Sequence, residues 1–200
     1  MIERPYTTII SLVLQSMSKS LCMKELSSVL ALATNQIDSQ YFHLEVDGGD
    51  PVYRERVYCY ELYHQMRLRW PVKTVYYLNG EIDKAAHPIL RKLKADHIKP
   101  DLLVHKPGFM SGNHAIIEVK HQRATLAGIQ KDLESLSLFK NTVRYERAIY
   151  LIYGADIDPE KFTAKVQKVA DKVEGLAEIE LWYHLSHFSE AFHYTTLKRD

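Results

Sequence analysis

Residues 99–120, KPDLLVHKPGFMSGNHAIIEVK, contain two short apolar runs separated by a segment with glycine and proline. Aliphatic runs of this length, bounded by turn-forming residues, are typical of buried β-strands. We therefore expect strands over residues 102–104 and 115–119. The intervening loop, residues 106–114, would join them as an antiparallel hairpin at the centre of the fold.

Charged residues flank or end both runs: Asp101 opens the first strand, and Glu118 and Lys120 end the second. Glu118 and Lys120 are two residues apart, so a strand presents them on the same face. A hairpin in which paired residue numbers sum to 219 or 221 would bring Asp101 opposite Glu118 or Lys120. Three charges would then meet at one end of an otherwise apolar sheet.

This cluster of charges has a specific chemistry. Two carboxylates held a few ångströms apart repel each other, and a hard divalent cation relieves that repulsion by accepting an oxygen from each. Such a cation activates a water molecule and stabilises the charge that develops on a phosphate, while a nearby lysine can hold the water or neutralise the same oxyanion. The cluster therefore points to phosphodiester hydrolysis. The structural alternative is an exposed strand-end ion pair, which contributes about 0–1 kcal/mol.

Outside this hairpin, hydrophobic periodicity and turn signals predict the remaining elements. We expect helices over residues 7–17, 24–34, 51–69, 125–140 and 158–173, and strands over residues 75–78, 81–83, 148–153 and 179–183. Asp50 is the expected N-cap of the third helix, with Pro51 at its first position. Asn79-Gly80 is the strongest hairpin-turn signal in the chain. The order predicts an α/β fold in which a mixed sheet is flanked by helices, with a helical extension before it.

The composition is that of an ordinary globular protein: of 200 residues, 46% are hydrophobic and 26% are charged, and the net charge is +1. It excludes a disordered tail protein, which lacks core residues, and a non-specific nucleic-acid coat, which needs a strongly basic surface. We expect one domain over residues 1–200, with a helical extension at 1–46 and a core at 51–185. Cys22 and Cys59 are too few for a disulfide framework or a cysteine-based zinc site. With no membrane-spanning apolar run either, the expected location is the cytoplasm.

Lys99-Pro100-Asp101, followed by Ile116-Ile117-Glu118-Val119-Lys120, resembles the Pro-Asp…Asp/Glu-x-Lys signature of the PD-(D/E)XK, or restriction-endonuclease-like, nuclease superfamily. The expected order of elements between residues 51 and 153 is similar to the αβββαβ core of that superfamily. The resemblance implies that Asp101 and Glu118 bind Mg²⁺, with Mn²⁺ as a substitute, and that Lys120 is the catalytic lysine. It implies a metal-dependent nuclease, with DNA favoured over RNA, in defence, restriction or repair.

Many members of the superfamily add an acidic residue from the helix before the hairpin. Glu61 is the candidate here because it lies mid-helix among aromatic residues, where an unpaired carboxylate is costly. The alternative is a helix-surface residue four positions from Gln65. Glu55 lies near the expected helix start, where the helix dipole already accounts for an acid. Glu81 competes as a metal ligand from the neighbouring strand; otherwise it belongs to a polar hairpin exit.

Basic and polar residues near the hairpin are candidates for contact with a nucleic-acid backbone: Lys99, Arg123, Gln130 and Lys131. For Lys131 the alternative is an ordinary solvated helix face. The alternatives for the helical N-terminal region are that it recognises a target, forms a dimer or only caps the core. Besides nucleic acid, the expected partners are a second copy of the chain or a partner protein of a larger system. The alternative function is a catalytically silent nucleic-acid-binding or assembly module. A purely structural domain with a coincidental motif would instead place Asp101 and Glu118 on opposite faces of the sheet.

Overall fold

The computed structural model describes residues 25–80 and 98–198. In this part of the chain the helices are α1 (residues 25–34), α2 (Ser39–Phe42), α3 (Glu55–Leu68), α4 (Leu126–Asn141) and α5 (Pro159–Ala170). The strands are β1 (Leu44–Val46), β2 (Gly49–Val52), β3 (Tyr77–Gly80), β4 (Leu102–His105), β5 (Asn113–His121), β6 (Arg147–Tyr153), β7 (Ile179–His184) and β8 (Phe192–Leu197). Within the described ranges, no helix combines the length and the apolar character needed to cross a membrane.

Six of these strands form one mixed sheet, in the spatial order β3-β4-β5-β6-β7-β8. β5, β6 and β7 are parallel, whereas β3, β4 and β8 pair antiparallel with their neighbours. All residues of β6 are buried, as expected for a parallel strand that is covered on both faces. α4 and α5 are the crossover helices between the parallel strands. The predicted α/β class, a mixed sheet flanked by helices, is confirmed.

Alternate residues of the central strands pack against different helices. Ile116 and Tyr150 belong to the apolar cluster that also contains residues of α4 and α5. Ile117 and Leu151 belong to the cluster on the opposite face, together with residues of α1 and α3. Glu118 follows Ile116 by two positions, so its side chain lies on the α4 face of the sheet.

The central hairpin forms in one of the two expected registers. Leu103 of β4 pairs with Ile116 of β5, so the paired residue numbers sum to 219. Continuing this register by two positions sets Asp101 opposite Glu118 and on the same face. The register of 219 is therefore confirmed, and that of 221 is wrong.

The predicted start of the third helix is wrong: α3 begins at Glu55, and Asp50 and Pro51 lie in β2. β2 pairs antiparallel with β1 in a separate two-stranded sheet. The turn between these strands is Asp47-Gly48, and Gly48 has a φ of +68°, which glycine adopts without steric cost. Because Asp-Gly is a favoured hairpin turn, the chain forms a strand pair before the helix begins.

The hairpin turn predicted at Asn79-Gly80 is also wrong. Both residues belong to β3 and pair with Leu103 and Leu102 of β4. This ladder satisfies their backbone groups in an extended conformation, which a tight turn would prevent. The expected returning strand at 81–83 lies outside the described residues.

β8 is an element that the sequence does not predict. Most of its residues are exposed or half-buried, so few of its side chains contribute to the core. Its position instead follows from antiparallel pairing with β7. The other elements predicted on described residues are confirmed to within three residues at each end. The helix predicted over 7–17 lies outside the described residues.

Candidate active site

A cavity of about 430 Å³ lies beside the C-terminal part of β5, between the first turn of α3 and helix α4. Four acids and four cations line it: Glu55, Asp101, Glu118 and Asp132, and Arg56, Lys99, Lys120 and Lys131. Glu118 and Asp132 are buried, whereas Arg56, Lys99 and Lys131 are exposed. Glu118 and Asp132 therefore lie at the base of the cavity, and most of its cations lie at the rim.

Asp101 and Glu118 both line the base of the cavity, close enough for the Asp101 carboxylate to act electrostatically on Glu118. The backbone N–H of Val119 donates a hydrogen bond to Oδ2 of Asp101 at 2.8 Å. The Ser135 hydroxyl of α4 donates to Oε1 of Glu118, also at 2.8 Å. These bonds hold both carboxyl groups in defined orientations, and the structure brings the two residues together as the sequence predicts.

The electrostatics of this pair favour a positive charge. Burial raises the pKa of Asp101 to about 6. Burial also raises the pKa of Glu118 well above its usual range, and the nearby Asp101 carboxylate adds to that shift. Two buried carboxylates side by side repel each other, and a hard cation that takes an oxygen from each group relieves that repulsion.

Lys120 lies two positions along β5 from Glu118, on the same face. Its Nζ atom is 2.9 Å from Oε2 of Glu55 and 3.1 Å from Oδ2 of Asp132. The Tyr150 hydroxyl donates a hydrogen bond to the same Asp132 oxygen. Burial by itself would lower the pKa of Lys120, but the carboxylates of Asp132 and Glu55 outweigh burial and raise the pKa above its usual value. The ammonium group therefore stays protonated at neutral pH.

The α3 acid that lines the cavity is Glu55, whereas Glu61 does not line it. Glu61 is half-buried further along the helix and accepts a hydrogen bond from Nε2 of Gln65 at 2.6 Å, as in the helix-surface alternative. Glu55 does lie in the first turn of α3, as expected, but the helix dipole does not account for it fully, because its carboxylate also binds Lys120. Glu81 lies outside the described residues.

Two of the four residues predicted to contact a nucleic-acid backbone line the cavity. Lys99 and Lys131 are both exposed there. Gln130 bonds a glutamate on the outer face of α4. Arg123 lies over the Tyr53 ring, with 5.6 Å between its Cζ atom and the ring centroid. Gln130 and Arg123 are not part of the cavity lining.

Asp132 and Ser135 contribute to the site although they are absent from the predicted site residues. Both are buried on the inner face of α4, with Ile129 and Leu136. Asp132 could have been found from its core-facing position on the helix, because a carboxylate among the core-facing residues of an amphipathic helix needs a partner. Lys120 is that partner for Asp132.

The donor set suits Mg²⁺ or Mn²⁺ in chemical type, because Asp101 and Glu118 offer the carboxylate oxygens that such cations prefer. Across residues 25–80 and 98–198, no group of three His, Cys, Asp or Glu side chains is placed to hold a metal ion. Mg²⁺ is commonly bound by one or two carboxylates, with waters and substrate phosphates as its other ligands. The pair therefore fits a metal that shares its coordination with water and phosphate.

No known protein-family model, curated protein or solved structure matches this chain. Its function therefore has to follow from the geometry of the cavity. That cavity combines two adjacent carboxyl groups, a protonated lysine and three exposed cations. Its volume is within the range of cavities that bind small molecules.

Proposed function

We propose that this protein is a metal-dependent nuclease of the PD-(D/E)XK superfamily that hydrolyses phosphodiester bonds, with DNA favoured over RNA. The observation that carries the proposal is the convergence of Asp101, Glu118 and Lys120 in one cavity with a cationic rim. Paired carboxylates can hold a catalytic cation, and the lysine can stabilise charge on the reacting phosphate. The exposed cations suit the neighbouring phosphates of a polynucleotide.

The order of elements supports the same assignment. From α3 to β6 the described elements follow the order α-β-β-β-α-β, which is the core order of that superfamily. The Pro-Asp pair precedes β4, and Glu-x-Lys lies on β5. A coincidental motif would predict Asp101 and Glu118 on opposite faces of the sheet, whereas both line the same cavity and the Asp101 carboxylate helps to raise the pKa of Glu118.

In this proposal Asp101 and Glu118 hold Mg²⁺, for which Mn²⁺ can substitute. A bound divalent cation supplies Lewis-acid stabilisation of the phosphate and lowers the pKa of a bound water. The Ser135 hydroxyl and the Val119 N–H fix the carboxyl groups from behind. Such supporting hydrogen bonds reduce the rearrangement that metal binding requires.

Lys120 acts in this proposal through its charge. Because Glu55 and Asp132 keep it protonated, it is a hydrogen-bond donor and not a general base. It orients the attacking water and neutralises negative charge that develops on the phosphoryl oxygens. The exposed cations at the rim hold the phosphates on either side and so fix the strand in the cavity.

The experiment is cleavage of plasmid DNA, single-stranded DNA and RNA, in Mg²⁺ and in Mn²⁺, by the wild type, Lys120→Ala and Glu118→Gln. Lys161→Ala is the matched control, because Lys161 is also an ion-paired lysine but is 86% exposed on α5. We expect both site variants to lose at least about 100-fold in cleavage rate. The control should cleave as the wild type does, and a chelator should abolish cleavage.

Equal cleavage by the wild type and both site variants would contradict the proposal and would point to another site or to a contaminating nuclease. Circular dichroism of each variant checks that the fold is intact. A folded wild type that binds DNA but cleaves none of the substrates would instead support the catalytically silent binding module.

A further inference from the structure

A second cavity, of about 420 Å³, adjoins the candidate active site, and Asp101 lines both. Its other lining residues include Tyr60 and Tyr63 of α3, and Asn79 and Gly80 of β3. The cavity therefore occupies the space between α3 and β3, an edge strand of the sheet formed by the described residues. A nucleic-acid strand whose phosphate lies against Asp101 would have the second cavity directly beside it.

One stripe of α3 connects the two cavities. Arg56, Tyr60 and Tyr63 are spaced by four and three residues, so they lie on the same face of the helix. Arg56 lines the first cavity, and the two tyrosines line the second. The stripe is about 10 Å long. A cation followed by aromatic rings is the arrangement by which proteins bind single-stranded nucleic acid, with phosphates on the cation and bases stacked on the rings.

The two tyrosines have different roles in this cavity. Tyr63 is half-buried, and its ring lies 3.8 Å from the position that a Cβ atom would take on Gly80. It therefore packs against β3 and forms a wall. Tyr60 is 62% exposed, so its ring presents a large apolar surface beside a polar site. An aromatic ring in that position can stack with a base at low entropic cost, since its side chain has few rotatable bonds.

We propose that the second cavity binds an unpaired nucleobase, stacked on Tyr60, from the nucleotide next to the scissile phosphodiester. This inference rests on the proposed nuclease function and narrows its substrate to single-stranded DNA or DNA with an unpaired nucleotide at the cleavage position. A base inside a duplex is stacked on its neighbours and would have to leave the helix to reach Tyr60. Asn79, whose side chain is bonded to His105 at 2.9 Å, places an amide beside the base.

The first measurement is binding of a labelled single-stranded DNA of about 12 nucleotides, in EDTA so that metal-dependent cleavage is blocked. Fluorescence anisotropy is recorded for the wild type, Tyr60→Ala, Tyr60→Phe and Tyr194→Ala. Tyr194 is the control because it is 43% exposed on β8, at the opposite edge of the sheet. We expect Tyr60→Ala to weaken binding roughly 5- to 100-fold, the loss typical of one stacked base. The Tyr60→Phe and Tyr194→Ala variants should bind as the wild type does.

The second measurement separates the base pocket from general DNA affinity. A blunt hairpin duplex should bind the wild type and Tyr60→Ala equally. Equal binding of the single strand by these two proteins would overturn the proposal. It would also be overturned if Tyr60→Ala lost as much affinity for the duplex as for the single strand, or if the wild type did not bind single strands.

The cleavage assay distinguishes this proposal from the nuclease function on which it rests. If Tyr60→Ala binds the single strand as tightly as the wild type, and the wild type cleaves DNA, the base pocket is contradicted while the nuclease function still holds. If affinity for single-stranded DNA depends on Tyr60 but the wild type does not cleave, the base pocket is supported and the nuclease function is contradicted. For a cleaving wild type, a single abasic nucleotide next to the cut should lower the rate, while one placed at the far end should not.

Discussion

Lys120 shows how the surroundings of one residue decide its chemistry. Its ammonium group lies between Glu55 of α3 and Asp132 of α4, and 18% of its side chain is exposed. A buried lysine without partners loses proton affinity, whereas one between two carboxylates keeps its charge. The same contacts fix the side chain beside Glu118. Glu55 and Asp132 together therefore set both the charge and the position of the Lys120 ammonium group.

Replacing Glu55 with glutamine should lower the cleavage rate about 10- to 100-fold, because Lys120 loses one of the carboxylates that position it. Glu61→Gln should have a smaller effect, since the Glu61 carboxylate bonds Gln65 on its own helix. Single-turnover rates at saturating DNA compare the two variants directly. A larger loss from Glu61→Gln would mean that the α3 acid of the site has been misassigned.

Replacing Glu118 with glutamine should abolish cleavage but stabilise the metal-free protein. The neutral amide removes a buried acid from beside Asp101 and can still accept the Ser135 hydrogen bond. We expect a gain of about 1 kcal/mol, which is roughly 2–4 °C in Tm for a chain of this length. Thermal unfolding in EDTA at pH 8 measures it, with Glu134→Gln on the exposed face of α4 as the control. A lower Tm for Glu118→Gln would contradict the assigned electrostatics.

At the scale of elements, a buried ion pair joins β6 to β7 at the end of the sheet opposite the candidate active site. Arg147 donates to Oε1 and Oε2 of Glu180 at 2.7 and 2.6 Å, and also to the Ser27 hydroxyl of α1 at 3.1 Å. These groups line a cavity of about 690 Å³, larger than the one around Asp101. The mutual pairing of Arg147 and Glu180 supports a structural role, in which α1 is tied to the parallel strands.

Replacing Glu180 with alanine should destabilise the fold by about 3 kcal/mol, because it leaves the buried Arg147 guanidinium without this carboxylate. The double variant Arg147→Met/Glu180→Leu should recover most of that loss, since apolar side chains of similar volume avoid the desolvation of both charges. Urea denaturation gives the free energy of unfolding for each variant. A double variant no more stable than Glu180→Ala would show that packing, and not the uncompensated charge, causes the loss.

At the scale of the whole molecule, an aromatic cluster holds α2 and α3 to the sheet face opposite α4. Phe42 of α2 makes edge contacts with Tyr58, Tyr153 and His184, and the rings of Tyr58 and Tyr153 stack at 3.9 Å. The Tyr58 hydroxyl lies 2.8 Å from Nδ1 of His184, which is fully buried. This cluster supports the helix that presents Glu55 and Tyr60.

His184 should make folding stability depend on pH. Burial lowers its pKa from 6.5 to about 4, so between these values the unfolded chain binds a proton that the native protein does not. Stability therefore falls as the pH drops through this window, by about 3 kcal/mol from this residue. The stability of His184→Leu should change less than that of the wild type between pH 7 and pH 4. The measurement is the free energy of unfolding in urea at each pH. Parallel curves for the wild type and the variant would contradict the assignment.

The site residues differ in whether neighbouring residues in the sequence are enough to predict their positions. The shared face of Glu118 and Lys120 follows from the two-residue period of a strand, and Asp101 joins them once β4 and β5 pair. Asp132 had a weaker local signal, as a carboxylate at a core-facing position of α4. Glu55 has no local signal for its role, because an acid in the first turn of a helix is expected from the helix dipole alone and its partner Lys120 lies on a distant strand.

The α/β class, the central hairpin and the face shared by its charged residues can be predicted from the sequence, because they depend on hydrophobic periodicity and short-range pairing. The helix acids that hold Lys120, and the place of Tyr60 beside Asp101 in a second cavity, are seen only in the folded protein. Those arrangements join residues far apart in the chain. They follow from how α3 and α4 pack against opposite faces of one sheet, which local sequence patterns do not encode.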